Sequence, residues 1–382
     1  MYKIYANGAI MHSPLLEESG CIVSDPIMQE QVNSFGELTF SVMPGHPLYR
    51  SIKNRLTYVT VRDERGDVWR GRVISNERAF DNRISVTCEG ELAYLLDSIQ
   101  RPFTYYGTVS GLLTQLITAH NAQMITPDGS ADTQRRFTIG TCNVPQEDPT
   151  VQFYRASESA KSTWALIREK LLDPLGGYLR IRMQGQTRYL DYLTDSSESC
   201  GQSVEYGKNL LDLTVEREGE DVITALIPYG ASYEPGDGGY VDPPSANTTW
   251  DGNRRTVRSV NNGSDEIMNA AGIAVFGRIY GTRTWDTIYD SSTLYDTATA
   301  WLAKQISDAV SIAAKAIDKS YTDDEIDPIN CFQYVRTKSK PHEIDVPLLC
   351  VRKTVHLMDL SKTTVELGTT QRTLTEMMGG TK

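Results

Sequence analysis

Histidines are the residues best suited to metal or acid–base chemistry here, and their spacing matches no known site. The five histidines are far apart in the sequence and form no HxH or HExxH motif: His12, His46, His120, His342 and His356. His342-Glu343 begins like the metalloprotease motif, but Val346 stands where its second histidine is required. His120 is predicted to end a helix, where a hydrogen-bonding side chain is favourable without any metal. The pattern predicts no metal site.

Nucleophilic catalysis requires an activated serine, lysine or cysteine, and the sequence carries no motif for one. No serine lies in a GxSxG elbow, and no lysine has a serine three residues before it. Cys350 and His356 are close in the sequence, but both fall in apolar, strand-like segments. That setting favours a buried thiol and a histidine at the rim of a strand. We therefore predict no catalytic residues and a protein that is not an enzyme.

Two further motifs resemble ligand-binding sites, but each lacks residues that such a site requires. Tyr206–Asn209 contains the Gly-Lys pair of a phosphate loop, but it lacks the earlier glycine, and Asn209 replaces the required serine or threonine. Asp237, Asp242 and Asp251 could supply oxygen ligands for calcium, but neither the EF-hand spacing nor a suitably placed glutamate accompanies them. A solvated acidic loop is favoured, and no cofactor is predicted.

The cysteines and the overall charge exclude several classes of protein. Six cysteines are scattered singly with no CxxC pair, which favours isolated packed thiols over zinc or redox motifs. With 38 basic and 49 acidic residues the net charge is −11, which argues against specific nucleic-acid binding and against adsorption to anionic membranes.

Length and hydropathy set the scale of the fold. The 382 residues, 40% of them hydrophobic, suffice for two or three packed domains. The opening MYKIYANGAIMHSPLL lacks the basic and apolar regions of a signal peptide, and no apolar run of about 18 residues occurs. We expect a protein that is made in a cytoplasm and is not inserted in a membrane.

Residues 1–100 are typical of strands, because apolar and polar side chains alternate with a period of two. A small antiparallel barrel or sandwich is expected. The predicted strands are Glu37–Met43, Thr57–Arg62, Val68–Ser75 and Arg83–Cys88, with a hairpin turn at Glu64–Asp67.

Residues 101–204 mix helix and strand. Apolar residues between Val109 and Ile117 share one helical face, with Thr108 or Ser110 as the N-cap. Ser157 is expected to cap a second helix, which Pro174 and Gly176-Gly177 end. A hairpin is predicted at Tyr178–Met183 and Thr187–Leu193.

The remaining chain passes from a loop to a helix and back to strands. Residues 228–255 are dense in Gly, Pro, Asp and Asn, which predicts a loop zone. An alanine-rich apolar stripe then predicts a long helix over Ser292–Asp318. This order predicts an α+β, β-dominated chain of several domains. The last predicted strands are Cys331–Thr337, Val346–Leu357 and Thr363–Leu367.

Four stretches resemble the N-terminal region of phage minor structural proteins, also called tail-associated or prophage endopeptidase tail proteins. The most specific is residues 204–230, VEYGKNLLDLTVEREGEDVITALIPYG, which is similar to the family's Tyr-Gly-Lys-Asn-Leu motif, its polar turn and its strand ending in Tyr-Gly. The chain departs from the family at Asn330–Phe332, where relatives often have a Gly-Asp turn. The other three stretches are Phe35–Val42 with His46–Tyr49, Arg83–Gly90 with Leu92–Asp97, and Val365–Gly368.

The resemblance implies a fold similar to that of the baseplate hub proteins of contractile-tailed phages. Such a fold has two related β-barrel domains and a smaller outer domain, interleaved in the chain. Residues 1–100 with 205–232 would form the first, tube-like barrel. Residues 101–204 with 319–382 would form a second barrel with helices, and 233–318 an outer loop-and-helix domain.

The resemblance further implies a structural protein at the tail tip of a phage or prophage virion, assembled in the cytoplasm of the bacterial host. The expected partners are further copies of the chain in a homotrimeric ring at the end of the tail tube. Other tail proteins are also expected: the distal tail protein, the tape measure and tip or receptor-binding proteins. Many relatives continue into a C-terminal cell-wall hydrolase or receptor-binding module, and because this sequence ends at Lys382 we expect a hub without the hydrolase.

Two alternatives stay open. A carbohydrate- or receptor-binding tail module is one, because Tyr233, Tyr240 and Trp250 in the loop zone could stack on sugars. Exposed aromatic residues in glycine-rich loops also serve protein contacts, so they do not decide the function. A tail-associated peptidoglycan endopeptidase is the other alternative, and it is disfavoured because the sequence shows no catalytic constellation.

Overall fold

The chain divides into two compact units. The first consists of residues 1–145, 155–213 and 313–382, and the second of residues 146–154 and 214–312. None of the described helices is long and apolar enough to cross a bilayer. The computed structural model describes residues 1–15, 20–146, 152–217, 222–232, 254–321 and 326–368, and no side chains are described for 216–217 and 304–311.

The N-terminal block of the first unit is antiparallel throughout, as the sequence predicts. In the fourth strand, Leu38, Phe40 and Val42 are buried and alternate with more exposed residues, so one face of the strand packs into the core. The strands are β1 (Lys3–Ala6), β2 (Ala9–His12), β3 (Ser24–Gln31), β4 (Glu37–Val42), β5 (Tyr58–Asp63), β6 (Gly66–Arg78) and β7 (Ile84–Gly90).

A mixed segment follows, introduced by a short 3-10 helix at Glu91–Leu96. It contains a hairpin, β13 with β14, at the predicted position. Its elements are β8 (Ile99–Gln100), β9 (Phe103–Gly107), α1 (Val109–Gln123), β10 (Thr138–Cys142), β11 (Phe153–Ser157), β12 (Lys161–Ser162), α2 (Thr163–Ile167), α3 (Asp173–Leu175), β13 (Tyr178–Gln184) and β14 (Thr187–Leu193).

Of the two predicted helix caps in this segment, one is confirmed and one is wrong. Thr108 caps α1, since its side chain accepts a hydrogen bond from the backbone N–H of Gly111. The prediction that Ser157 caps the second helix is wrong, because Ser162 is the N-cap of α2. Residues 161–162 first pair with β8 as a short strand, and this tertiary pairing delays the start of the helix.

The C-terminal half contains the remaining strands and the longest helix. The predicted strand at Cys331–Thr337 begins three residues later in the structure, and the other two C-terminal strands are confirmed. The elements are β15 (Ser199–Glu205), β16 (Leu210–Arg217), β17 (Ala225–Tyr229), β18 (Ile267–Met268), α4 (Ala270–Phe276), β19 (Tyr280–Thr284), α5 (Ser291–Ala309), β20 (Val310–Ile317), β21 (Tyr334–Ser339), β22 (Ile344–His356) and β23 (Thr364–Gly368).

The predicted helix over Ser292–Asp318 is correct only in its first part. The helix α5 ends at Ala309, and the chain continues directly as β20. Ala314 and Ala316 are buried on either side of the less buried Lys315, and these residues pair antiparallel with β23. The alanine-rich composition fits a helix, but a sheet neighbour far along the chain decides the conformation.

A single 13-stranded sheet joins the two ends of the chain. Its order is β16-β20-β23-β22-β3-β4-β7-β6-β5-β1-β2, with β21 pairing β22 and β15 pairing β21 beside this path. The join is between β22 and β3, where Thr354 lies opposite Gln29. The fold is therefore α+β and β-dominated, as predicted.

The predicted three-domain grouping stays a prediction. In the structure β16 pairs with β20, and β17 pairs with β18 and β19. β22 pairs directly with β3. Sequence periodicity identifies strands, but it does not show which strands are neighbours.

The second unit is built around β17, which lies between β18 and β19. Its hydrophobic core contains Leu226 of β17 and Leu294, Ala298 and Leu302 of α5. Of the predicted loop zone 228–255, the first two residues belong to β17, and 233–253 lie outside the described residues. The latter range includes Tyr233, Tyr240, Trp250, Asp237, Asp242 and Asp251.

Candidate functional site

A cavity of about 530 Å³ opens in the first unit. The turn from β3 to β4, the beginning of β6, β13 and the segment before β21 contribute to its wall. Its apolar lining includes Phe35, Trp69, Leu179 and Phe332. Concave apolar surface with a few polar groups is the usual form of a binding site, so the charges in this wall decide its chemistry.

Most charged side chains in the wall of the cavity form ion pairs, either within the wall or with residues beside it. Arg180 forms an ion pair with Glu198, and Arg70 forms one with Asp67. Burial raises the pKa of Glu30, and the nearby positive charge of Lys353 partly opposes that rise. Because cations and carboxylates neutralise each other locally, the wall offers neither an anion cradle nor a set of free carboxylates.

Lys353 and Asp318 form a buried ion pair beside the cavity. Their side chains are 4% and 0% exposed, and Lys353 Nζ lies 3.3 Å from Asp318 Oδ2. Nζ also donates to the carbonyl of Ile329 at 2.5 Å. Asp318 accepts further hydrogen bonds from Gln202 Nε2 at 3.0 Å and from the backbone N–H of Ile329 at 3.1 Å. A pair so fully hydrogen-bonded holds β15, β20 and β22 together and is not positioned as an acid–base couple.

No sequence motif singles out Lys353. The signal that could have found it is its position in β22, where it shares one face of the strand with the buried Val351 and Val355 and is therefore predicted to face the core. A lysine at a core-facing position needs a buried acceptor. Its partner, Asp318, could not be recognised in the sequence, because the segment before it was assigned to a helix.

A second buried charge network surrounds Arg72, whose side chain is 1% exposed. Arg72 Nε donates to Glu89 Oε1 at 2.8 Å, and Nη2 donates to Asp97 Oδ1 at 2.8 Å. Arg135 and Arg55 also donate to Asp97, at 3.2 and 2.9 Å. Burial acts to raise the pKa of Asp97, but hydrogen bonds and charge from Arg72 and Arg135 hold it below the usual range. The network joins β6 to the segment that precedes α1.

The ring of His120 forms hydrogen bonds within the core of the protein. Nδ1 lies 2.7 Å from Ser98 Oγ, and Nε2 lies 2.9 Å from the carbonyl of Arg135. Burial lowers the pKa of His120, so the ring is neutral at pH 7. Both ring nitrogens are occupied within the core, which leaves no lone pair directed at a ligand.

The structure does not bring Cys350 and His356 together. They are six residues apart on the same strand, β22, which separates them by roughly 20 Å. Cys350 is buried beside Cys331, whereas His356 is half-buried and lies opposite Ile27 of β3. His342 Nδ1 instead contacts Ser339 Oγ at 2.6 Å.

The Gly-Lys motif forms the turn between β15 and β16. Gly207 has a φ of +77°, which glycine adopts without strain. Asn209 Oδ1 accepts from the backbone N–H of Glu205 at 3.0 Å, and Nδ2 donates to the carbonyl of Ile317 at 3.2 Å. The motif therefore ties this turn to the end of β20 and does not form a phosphate loop. Among the described residues, no three potential ligands cluster as a metal site requires.

Solved structures of low sequence identity share the fold over almost the entire chain. A prophage tail protein, gp18, from Listeria monocytogenes EGD-e is 13% identical, with a TM-score of 0.55 over 93% of this chain and 91% of that one. The 43 kDa tail protein of prophage MuSo2 from Shewanella oneidensis is 12% identical, with a TM-score of 0.56 over 96% and 97%. A tail protein from Neisseria meningitidis MC58 is 12% identical, with a TM-score of 0.55 over 96% of each chain.

The fold is thus that of prophage tail proteins. Residues 198–378 match the family described as prophage endopeptidase tail, which confirms the resemblance carried by residues 204–230. A search of curated proteins found no match.

Proposed function

We propose that this chain is a structural tail protein of a phage or prophage, that it acts as a hub at the tail tip, and that three copies form a ring at the distal end of the tail tube. The observation that carries the proposal is the fold likeness to tail proteins, which extends over 93–96% of the chain. In this proposal, other tail proteins are the remaining binding partners of the ring.

The ends of the 13-stranded sheet support self-association. β2 lies at one end of the strand order and β16 at the other. Leu211 and Val215 of β16 are 53% and 37% exposed, which places apolar side chains on a terminal strand. An exposed apolar edge pairs readily with another chain, so native proteins keep such an edge where a partner covers it.

The proposed role is not catalytic, although the matching family has endopeptidase in its name. It rests on the contacts of the candidate residues. His120, Asp318 and Lys353 are each held by several structural hydrogen bonds, and Cys350 and His356 are apart on one strand. A hydrolase requires a nucleophile or metal-bound water directed at an open site.

The position in the virion is the test. A particle carrying an epitope on this chain would be labelled with gold-conjugated antibody and viewed by electron microscopy. Gold at the distal end of the tail supports the proposal, and gold on the capsid or along the tube contradicts it. In parallel, the purified chain is incubated with peptidoglycan from candidate hosts, and release of soluble fragments above that of a heat-inactivated sample would contradict the non-catalytic role.

A further inference from the structure

Two of the six cysteines lie side by side in the first unit. Cys331 precedes β21, and Cys350 lies within β22, the strand that pairs with β21. The backbone N–H of Phe332 donates to the carbonyl of Cys350, and that of Cys350 donates to the carbonyl of Gln333, both at 2.8 Å. Two residues, Phe332 and Gln333, thus face one residue in a β-bulge, and Phe332 has a φ of +69°. The bulge places Cys331 next to Cys350.

The thiol of Cys331 lies against Cys350. Cys331 Sγ is 3.6 Å from the carbonyl oxygen of Cys350 and 3.5 Å from that of Val351. The Cys350 thiol is also close enough to raise the pKa of Cys331. Cys331 comes one residue before the two bulge residues that face Cys350, and paired strands lie about 4.8 Å apart. Disulfides occur at Cα separations of about 4.4–6.8 Å, a range that residues on neighbouring strands can reach.

A reagent can reach one member of the pair. Cys331 is half-buried and lines the 530 Å³ cavity, whereas Cys350 is 0% exposed on the core side of β22. Because of this difference in exposure, an oxidant reaches the sulfur of Cys331 first, whereas the sulfur of Cys350 is shielded from solvent. Both are free thiols in the structure.

We propose that Cys331 and Cys350 form a disulfide bond when the protein moves from a reducing cytoplasm to an oxidising medium. The oxidant is a low-molecular-weight disulfide of the glutathione class. The Cys331 thiolate attacks it, one small thiol leaves, and a mixed disulfide remains on Cys331. The Cys350 thiolate then attacks the sulfur of Cys331 and releases the second small thiol. The protein loses two protons and two electrons, and the small disulfide is reduced to two thiols.

The environment makes this reaction slow, so that the thiols stay reduced during assembly in the host. The neighbouring thiol of Cys350 raises the pKa of Cys331, and burial and the charge of Glu30 act in the same direction. The reactive species is the thiolate, which is scarce when the pKa is high. Disulfides persist in extracellular particles and are rare in the cytoplasm, where thiols are kept reduced.

The bond would fasten β21 to β22, which also pairs with β3 and β23 in the large sheet. It would close the loop formed by residues 331–350. The thiol chemistry depends only on the proximity of the two side chains. The timing, after release of the virion, rests on the proposed function.

Peptide mapping of the full chain tests the proposal. Protein purified under reducing conditions is transferred to oxidised glutathione, sampled over hours, blocked with N-ethylmaleimide and digested with trypsin. Cleavage at lysine and arginine places the two cysteines on separate peptides, residues 320–336 and 339–352. We expect these peptides to become linked in an adduct that dithiothreitol separates. Both peptides remaining blocked singly at every time point would overturn the proposal.

Variants and thermal unfolding provide the controls. Cys331→Ser and Cys350→Ser should each abolish the linked peptide, whereas Cys142→Ser, at another half-buried cysteine, should retain it. The oxidised wild-type chain should melt about 5 °C higher than the reduced chain. A linked peptide joining Cys331 to a different cysteine would overturn the assignment of the pair. A linked pair in a chain that fails the tail-location test would contradict only the proposed function.

Discussion

At the scale of single residues, buried charged side chains stabilise the fold of this protein. Arg72 and Lys353 are both almost fully buried. Two carboxylates hold Arg72, whereas one carboxylate and one backbone carbonyl hold Lys353. Removing one partner of such a pair leaves an uncompensated buried charge, which is far more costly than losing a surface ion pair. The networks therefore fix which segments lie together.

Asp97→Asn tests the Arg72 network. The side chain of Asp97 is 6% exposed, and we expect a loss of about 3 kcal/mol in the free energy of unfolding at pH 7, because Arg72 loses one of its two anionic partners. The control is Asp345→Asn, whose carboxylate pairs with Arg336 at the surface, and we expect almost no change there. Denaturant titration followed by tryptophan fluorescence provides the measurement.

The same variant has a defined pH dependence. The pKa of Asp97 is lowered in the folded chain, so its ionisation stabilises the fold above the unfolded value of about 3.9 and that contribution is lost as pH falls further. We expect the difference between wild type and Asp97→Asn to shrink below about pH 4. A difference that stays constant from pH 7 to pH 3 would show that ionisation of Asp97 contributes nothing.

At the scale of elements, close backbone approaches set the register of the large sheet. A Cβ added at Gly90, at the end of β7, would lie 2.0 Å from the carbonyl oxygen of Phe35. At Gly45 a Cβ would meet nothing within 4 Å. Packing therefore requires a glycine at Gly90 but not at Gly45.

Gly90→Ala should destabilise the chain by about 2 kcal/mol, since the backbone of Phe35 must move to make room. Gly45→Ala should stay within about 0.5 kcal/mol of wild type. Thermal unfolding of both variants, measured side by side, gives the comparison. Equal melting temperatures for the two variants would contradict the close approach.

β16 provides a test of the proposed interface. Leu211→Glu places a charge on this terminal strand, and we expect at least a tenfold weaker self-association, because a charged edge resists pairing with another chain. Leu56→Glu is the matched control, since Leu56 is 66% exposed but lies in a turn. Sedimentation velocity over a concentration series measures both. An unchanged association constant in Leu211→Glu would exclude this edge from the interface.

Much of the element pattern could be predicted from the sequence, and the failures have physical reasons. β4, the β5–β6 hairpin and α1 follow local periodicity and capping, which the sequence displays directly. β20 was assigned to a helix because its neighbour, β23, lies about fifty residues further along the chain and supplies the strand pairing. The partnership of β22 with β3 and the pairing of Lys353 with Asp318 are long-range for the same reason.

At the scale of the whole molecule, the N-terminal and C-terminal segments share one sheet, which makes the fold non-local. The resemblance noted in the sequence covers short stretches, whereas the structural likeness to tail proteins covers nearly the entire chain at 12–13% identity. The expected assembly therefore has to be measured on this chain.

The central claim is that three copies of this chain form the hub. Light scattering coupled to gel filtration measures the mass of the assembly directly, over a range of concentrations and with the adjoining tail proteins added. We predict a species of three times the 42.6 kDa chain mass, either alone at high concentration or with those partners. A stable dimer, or a monomer that persists with the tail partners present, would contradict the claim.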